Sequence, residues 1–350
     1  MKKYLFIKLR AIGDTVILSS SINALKDKES QAEIDILIPS HSLFAFESSA
    51  QVRKIFTLSS SSKWLLFFEF ILKLFNLRKT NYDFILNFHA SHLSAFVTKF
   101  AKGKTKVVYN QGIKKRNLFS ELPIPGKGDI KSIIEKDYDV LRAVGVSVEK
   151  AYKTQIFLSK DSLYIPQDSI GKTDKKIIGI HPGASKATKK WGISNYVALL
   201  NLLDKEYEIL FLYSKFEEEE VREIQSSLNE KNKAKFIKTK TLRELCAYLK
   251  KVNLFLGMDS GPKHIAVALD VPTITLFSSE SMGEFHPYKS VKHIALRAEV
   301  PCRPNYSDKP GFEWCGLSTC ASMQCMEKLT PELVTNEINS FLKKRAQYED

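Results

Sequence analysis

The sequence predicts an α/β protein built of two doubly wound halves, with ligands held in a cleft between them at the carboxyl ends of the strands. Three observations carry that expectation. Short apolar runs alternate with helix-length amphipathic stretches along nearly the whole chain, the pattern of parallel strands covered on both faces. The alternation breaks at a polar segment near 159–176 and then restarts. At 350 residues the chain is long for one core and comfortable as two.

The elements follow in order. Residues 4–9 read as a buried strand, 15–28 as the helix after a short Gly-containing loop, and 34–38 as a second strand ended by Pro39. Residues 83–88 and 106–109 are further strands with a helix over 91–101 between them, and a helix over 130–144 closes the first half at Gly145. The second half begins with a strand over 177–181, a helix over 193–205, a strand over 208–213 and an acidic helix from Glu217. Thr241-Leu-Arg-Glu244 matches a capping box, in which each side chain satisfies a free backbone donor of the first turn. Strands over 254–257 and 273–277 flank a helix over 262–269, and Thr330-Pro331 opens a last helix reaching about Arg345. The expected division is 1–165 for the N-terminal domain, 166–330 for the C-terminal domain, and 331–350 for a helix packing back on the first.

Composition narrows the function class. The formal charge of +14 points to a polyanionic partner, whether nucleic acid, an anionic membrane or a phosphorylated substrate. A nucleic-acid partner is not expected, because no recognisable reading helix or aromatic platform accompanies the charge. No Gly-x-Gly-x-x-Gly follows a strand, which argues against a dinucleotide oxidoreductase. No run of about 18 apolar residues occurs, and the basic N-terminus reads as a strand and not a signal peptide, so a cytoplasmic protein is expected.

Three loops carry candidate chemistry. Met258-Asp-Ser-Gly-Pro-Lys-His264 lies between a strand and a helix, where Ser260 and Gly261 can cap and Pro262 fits the first turn. The positive end of that helix can hold a diphosphate flanked by Asp259 and His264; an ordinary capped turn braced by Asp259 is the other reading. In Ile180-His-Pro-Gly-Ala-Ser-Lys-Ala-Thr-Lys-Lys-Trp191, Gly183 permits a close turn, Ser185 and Thr188 offer hydroxyls, and Lys186, Lys189 and Lys190 offer charge. This too reads equally as a solvated basic loop, although it lacks the Gly-Lys-Ser/Thr end of a Walker loop. In Leu9-Arg-Ala-Ile-Gly-Asp14, Gly13 permits a turn and Asp14 either accepts a proton from an attacking hydroxyl or caps the next helix.

Together, in this order and spacing, the three loops resemble glycosyltransferase family 9, the ADP-heptose:lipopolysaccharide heptosyltransferases. The family pattern continues through His264-Ile-Ala266-Val-Ala268-Leu269-Asp-Val-Pro272 to Leu276-Phe277. The resemblance implies a GT-B fold, two Rossmann-like domains with the acceptor on the N-terminal one and an ADP-sugar donor on the C-terminal one. It implies Asp14 as catalytic base, Ser185 and Lys189 on the diphosphate, and Asp259, Ser260, Gly261 and His264 on the sugar or phosphates. Lys189 would also offset charge on the leaving ADP. The implied activity is inverting transfer of a heptose, or a related sugar, to the lipopolysaccharide inner core or a similar glycan. The chain departs from the family at Ser20, at Ser278 and around Tyr213-Ser214. Those departures keep a second reading open, a weak or inactive sugar-nucleotide-binding protein of the same fold.

No cofactor or metal is expected beyond the donor, because no Asp-x-Asp motif lies in a matching loop. Gly13, and His89 and His92 after a strand, are candidate acceptor contacts. Residues 63–77 are apolar on most faces and suit either a helix packed on the first sheet or one lying in a lipid interface. Lys99, Lys102, Lys104, Lys106, Lys114, Lys115 and Arg116 form a basic stretch that fits an anionic surface such as the inner face of the inner membrane, or is simply solvated. Cys302, Cys315, Cys320 and Cys325 could hold zinc, although they lack the Cys-x-x-Cys spacing of structural sites.

Overall fold

The computed structural model describes the backbone of all residues except 60–62, 90, 110–121, 125–130, 160–169, 171–172, 204, 230–233, 289, 303–313 and 347–350, with backbone alone at 63–70, 123–124 and 345–346. The chain divides into two compact units, Met1–Ser159 and Lys160–Asp350.

In the first unit, β1 (Lys3–Ile7), β2 (Glu33–Pro39), β3 (Lys54–Leu58), β4 (Tyr82–Asn87), β5 (Gly103–Tyr109) and β6 (Leu122–Ile124) form one sheet in the order β3-β2-β1-β4-β5-β6. Every pairing is parallel. Its helices are α1 (Ile12–Lys28), α2 (Lys63–Arg78), α3 (His92–Phe100) and α4 (Ile133–Arg142). Tyr4, Leu5, Phe6 and Ile7 on β1 are all fully buried, as both faces of a covered central strand must be.

The second unit repeats the plan. Its strands are β7 (Ile177–His181), β8 (Glu208–Tyr213), β9 (Lys235–Lys238), β10 (Leu254–Met258), β11 (Thr273–Phe277) and β12 (His293–Arg297), in the order β12-β11-β10-β7-β8-β9. These pairings are parallel too. Its helices are α5 (Ile193–Leu202), α6 (Glu218–Ser226), α7 (Leu242–Leu249), α8 (Gly261–Ala268), α9 (Met282–Phe285), α10 (Gln324–Glu327) and α11 (Pro331–Ala346). Counted from its own first strand, each sheet has the same doubly wound order. The order reverses between β1 and β4 in one unit and between β7 and β10 in the other. Ligands bind at such switch points, beyond the carboxyl ends of the strands.

The element ends correct several expectations. Helix α1 starts at Ile12, so Asp14 lies inside its first turn and Ala11, not Asp14, is the N-cap. Ser260 is the N-cap of α8, with Pro262 in the first turn, yet its hydroxyl makes no capping bond. Thr241 does cap α7 through the Glu244 N–H, but Glu244 Oε2 accepts from Lys240 N at 2.8 Å, so the reciprocal bond lands one residue early. Ser91 and Ser94 form the full reciprocal box at α3, a pairing the sequence reading missed.

The last helix belongs to the second unit. Val334, Ile338, Phe341 and Leu342 on α11 join the core that holds Trp191, Leu199 and Ile274, and α11 packs on α5. Its buried apolar stripe is thus spent within the second unit.

No described helix is long and apolar enough to cross a membrane. On α2, Leu72 and Phe75 are exposed, and on neighbouring α3 so is Phe96. The side chains of 63–70, including Trp64 and Glu69, and residues Lys114, Lys115 and Arg116 lie outside the described residues.

Candidate active site

At the switch point of the first unit, the chain leaves β1 through Lys8 and turns into α1. Asp14 is 9% exposed and accepts from Arg10 Nε at 3.2 Å on Oδ2. Its place in the first turn sets it against the positive end of the helix, which favours an anionic carboxylate there. Gly13 is buried in the same turn, with no positive φ.

Beside this loop lies a pair that sequence reading missed. Lys8 is buried, and its Nζ contacts Asp137 on α4, 2.6 Å from Oδ1 and closer still to Oδ2. Burial pushes the Asp137 carboxyl up to about 6, the Lys8 ammonium limits the rise, and the Asp14 charge adds to it.

The two histidines separate. His89 is buried just past β4, its N–H donating to Asn87 Oδ1 at 3.2 Å and its carbonyl accepting from Ser94 Oγ. His92 is the first residue of α3 and is exposed. His89 therefore sits past β4 at the same switch point as Asp14, whereas His92 opens α3 and is exposed.

In the second unit the loops after β7 and β10 converge around one carboxylate. Asp259 follows β10 and is buried; Oδ2 accepts from Lys189 Nζ at 2.8 Å and Oδ1 from Lys263 Nζ at 2.6 Å. Burial alone would raise its pKa, but the Lys263 and Lys189 ammonium groups outweigh it and hold the carboxyl well below the usual range. Lys263 is wholly buried, donates to Phe285 O at 2.7 Å and lies over the Phe277 ring. It was not singled out from the sequence, although its i, i+4 spacing from Asp259 was the available signal.

Gly183 is required by close approach. A Cβ there would lie 2.6 Å from Glu217 Oε1 and from His181 Cε1. Its N–H donates to His181 Nδ1 at 3.0 Å. Ser214 holds Glu217 in place with its N–H and hydroxyl, at 2.9 and 2.6 Å, so the departure at Tyr213-Ser214 is built into this corner.

The other loop side chains differ in setting. Thr188 is buried and donates to Leu317 O at 2.7 Å, with Ser279 Oγ 3.0 Å away, so it stitches the loop together. Ser185 is exposed, and Lys190 pairs with Glu220 on the surface at 2.8 Å. Trp191 is a packing anchor, its Nε1 donating to Leu329 O at 2.7 Å. His264 Nδ1 lies 2.5 Å from the Tyr288 hydroxyl, and burial followed by the Lys263 charge drives its pKa well down. Ser20 is buried within α1, where its hydroxyl donates to Ile17 O at 2.9 Å, so that departure from the family touches helix packing.

The four cysteines do not form the zinc site entertained from sequence. Cys302, Cys315 and Cys320 are exposed, and among the described residues no three potential ligands gather around one point.

The buried imidazoles set a pH dependence. Burial lowers His181 and His286 to about 4, while the unfolded chain titrates near 6.5. Below 6.5 the unfolded state therefore takes up protons that the folded second unit refuses, and stability falls as pH drops towards 4. Asp137 has the opposite sign: its folded pKa of about 6 lies above the unfolded value, so between about 3.8 and 6 acid favours the folded first unit. Hydrogen exchange at pH 7 and pH 5, corrected for intrinsic rates, is expected to show protection falling in β7 and β10 more than in β1 and β4. Equal loss in both sheets would contradict this assignment.

Comparison with known proteins bears on the same loops. The sequence profile of glycosyltransferase family 9 (heptosyltransferase) matches residues 72–312. Lipooligosaccharide heptosyltransferase 2 of Campylobacter jejuni is 31% identical over 176 residues, 49% of this chain and 52% of that protein, so the match spans about half of its length. The lipopolysaccharide core heptosyltransferase OpsX of Haemophilus influenzae is 23% identical over 97% of both chains. Among solved structures, E. coli ADP-heptose lps heptosyltransferase II has a TM-score of 0.75 at 20% identity, covering 99% of this chain and 100% of its own. E. coli heptosyltransferase WaaC with ADP also scores 0.75, at 16% identity, covering 97% and 99%. The fold is that of these GT-B neighbours. With its profile matched over more than half its length, and the Asp14, Lys189 and Asp259 loops set at the switch points of two doubly wound sheets, the chain belongs to glycosyltransferase family 9.

Proposed function

We propose that this chain is an inverting glycosyltransferase that moves a heptose, or a related sugar, from an ADP-sugar to the lipopolysaccharide inner core or a similar surface glycan. The observation that carries the reading is the buried Lys189–Asp259–Lys263 network at the start of α8. It places two ammonium groups and the open N–H groups of a helix start on one switch point, the provision a diphosphate needs. Ser185, Ser260, Gly261 and His264 line the same loops and are proposed donor contacts. Thr188 and Gly183 support those loops from within.

In the proposed reaction an acceptor hydroxyl attacks the anomeric carbon while the bond to the diphosphate oxygen breaks. Asp14 takes the hydroxyl proton, and Lys189 offsets the charge gathering on the departing ADP. The donor loops supply the positive charge themselves, so the reading needs no metal or cofactor besides the donor. His89 is a proposed acceptor contact.

The exposed Leu72, Phe75 and Phe96 lie on helices adjoining a basic stretch. Lys104 in that stretch pairs with Asp83, and Lys106 donates to Lys99 O, so part of its charge is engaged locally. We place this face against an anionic lipid surface bearing the acceptor, with the protein on the cytoplasmic side. One experiment tests both readings: ADP release from ADP-heptose, with an acceptor glycolipid in anionic or neutral vesicles. Acceptor-dependent release, faster on anionic vesicles, is expected. Absence of release would remove the transferase reading, and equal rates on both vesicles would remove the lipid-surface reading.

A further inference from the structure

The donor loop carries a carboxylate that the proposed chemistry does not use. Past β11 the chain runs through Ser278 and Ser279 to Glu280, whose side chain is 13% exposed. Its Oε1 accepts from Lys186 Nζ and lies 3.8 Å from Lys189 Nζ. The segment is held firmly: Ser279 Oγ is 3.0 Å from Thr188 Oγ1, and Ser279 O accepts from Gly316 N at 2.8 Å. Glu280 is therefore presented to the two loop cations by its own backbone.

The charges around this loop are lopsided. Asp259 already engages Lys189 and Lys263, one on each oxygen. Glu280 engages Lys186 and reaches towards Lys189 on the other side. A diphosphate brought to Lys189 would meet Glu280 within a few ångströms, and two anions cannot share that ammonium at close range without mutual repulsion.

We propose that Glu280 is an internal counter-ion of the donor loop, displaced from Lys186 and Lys189 when a diphosphate binds. It thereby sets the affinity for the donor. The inference rests on the diphosphate reading of these loops.

Isothermal titration of the full chain with ADP, AMP and inorganic pyrophosphate tests it, comparing the parent with Glu280→Gln and Glu280→Asp. The Gln variant keeps the shape and removes the charge. ADP and pyrophosphate are expected to bind it about five- to tenfold more tightly, and AMP to gain by no more than that, because the repulsion that is removed grows with the charge of the ligand. The Asp variant keeps the charge but withdraws it by one methylene, and is expected to fall between the two; it also carries the test should Glu280→Gln fail to fold. Parent binding of ADP and pyrophosphate, with affinity unchanged or weakened in both variants, would overturn the counter-ion role and leave the diphosphate reading intact. A parent that binds neither ADP nor pyrophosphate would overturn both.

Discussion

Asp14→Asn is expected to lower kcat by about two to four powers of ten while ADP affinity stays within about twofold of the parent, since positioned proton transfer contributes on that scale. The asparagine keeps the shape and can still accept from Arg10 Nε, which now donates to Asp14 Oδ2 at 3.2 Å. Helix α1 should survive, because its N-cap is Ala11 and its first turn does not depend on a bond from the Asp14 side chain. What is lost is the carboxylate proposed to take up the acceptor proton. Steady-state turnover, paired with ADP titration, separates chemistry from binding. Turnover within threefold of the parent would take the proton from Asp14 and give it to another group.

Lys189→Ala is expected to lower kcat/KM by about a hundred- to a thousandfold, the scale of losing one preorganised donor to a developing anion. Unlike the Asp14 change, it should weaken ADP binding as well. Lys189 donates to both the side chain and the backbone carbonyl of Asp259, at 2.8 and 3.2 Å, so its removal leaves that buried carboxylate with Lys263 as its remaining ammonium partner in the network. Lys190→Ala is the control. The Lys190 ammonium pairs with Glu220 on the surface, where such pairs contribute about 0–1 kcal/mol, and activity should be nearly unchanged. If the two variants lost activity alike, the loss would be one of net loop charge and not of the Lys189 position.

The sequence displayed the central strands far better than the edges. β1, β7, β10 and β11 are nearly continuous apolar runs because both faces are covered, and they were found. β3, β9 and β12 were missed. Their burial is partial along most of their length, and short strands of mixed polarity such as Lys235–Lys238 look like loop in the sequence. The site divides in the same way. Loop positions such as Asp14, Lys189 and Asp259 were legible from local spacing and from the family pattern. Their partners were not: Lys8 meets Asp137 across 129 residues, and Lys186 meets Glu280 across 94. Local chemistry also misled where a hydroxyl had two uses. Thr188 looked like a ligand contact and spends its donor on Leu317 O, while Ser260 looked like a cap and makes no such bond.

One feature of the architecture bears on how such a protein diversifies. Both sheets are wound by the same recipe, and each leaves a single seam where neighbouring loops part company. The loops at one seam can be rewritten in length and side chain while the ion pairs beneath the other keep their setting. On the proposed division of roles, editing the stretches that follow β1 and β4 would change the molecule that is decorated while the same activated sugar is still drawn upon.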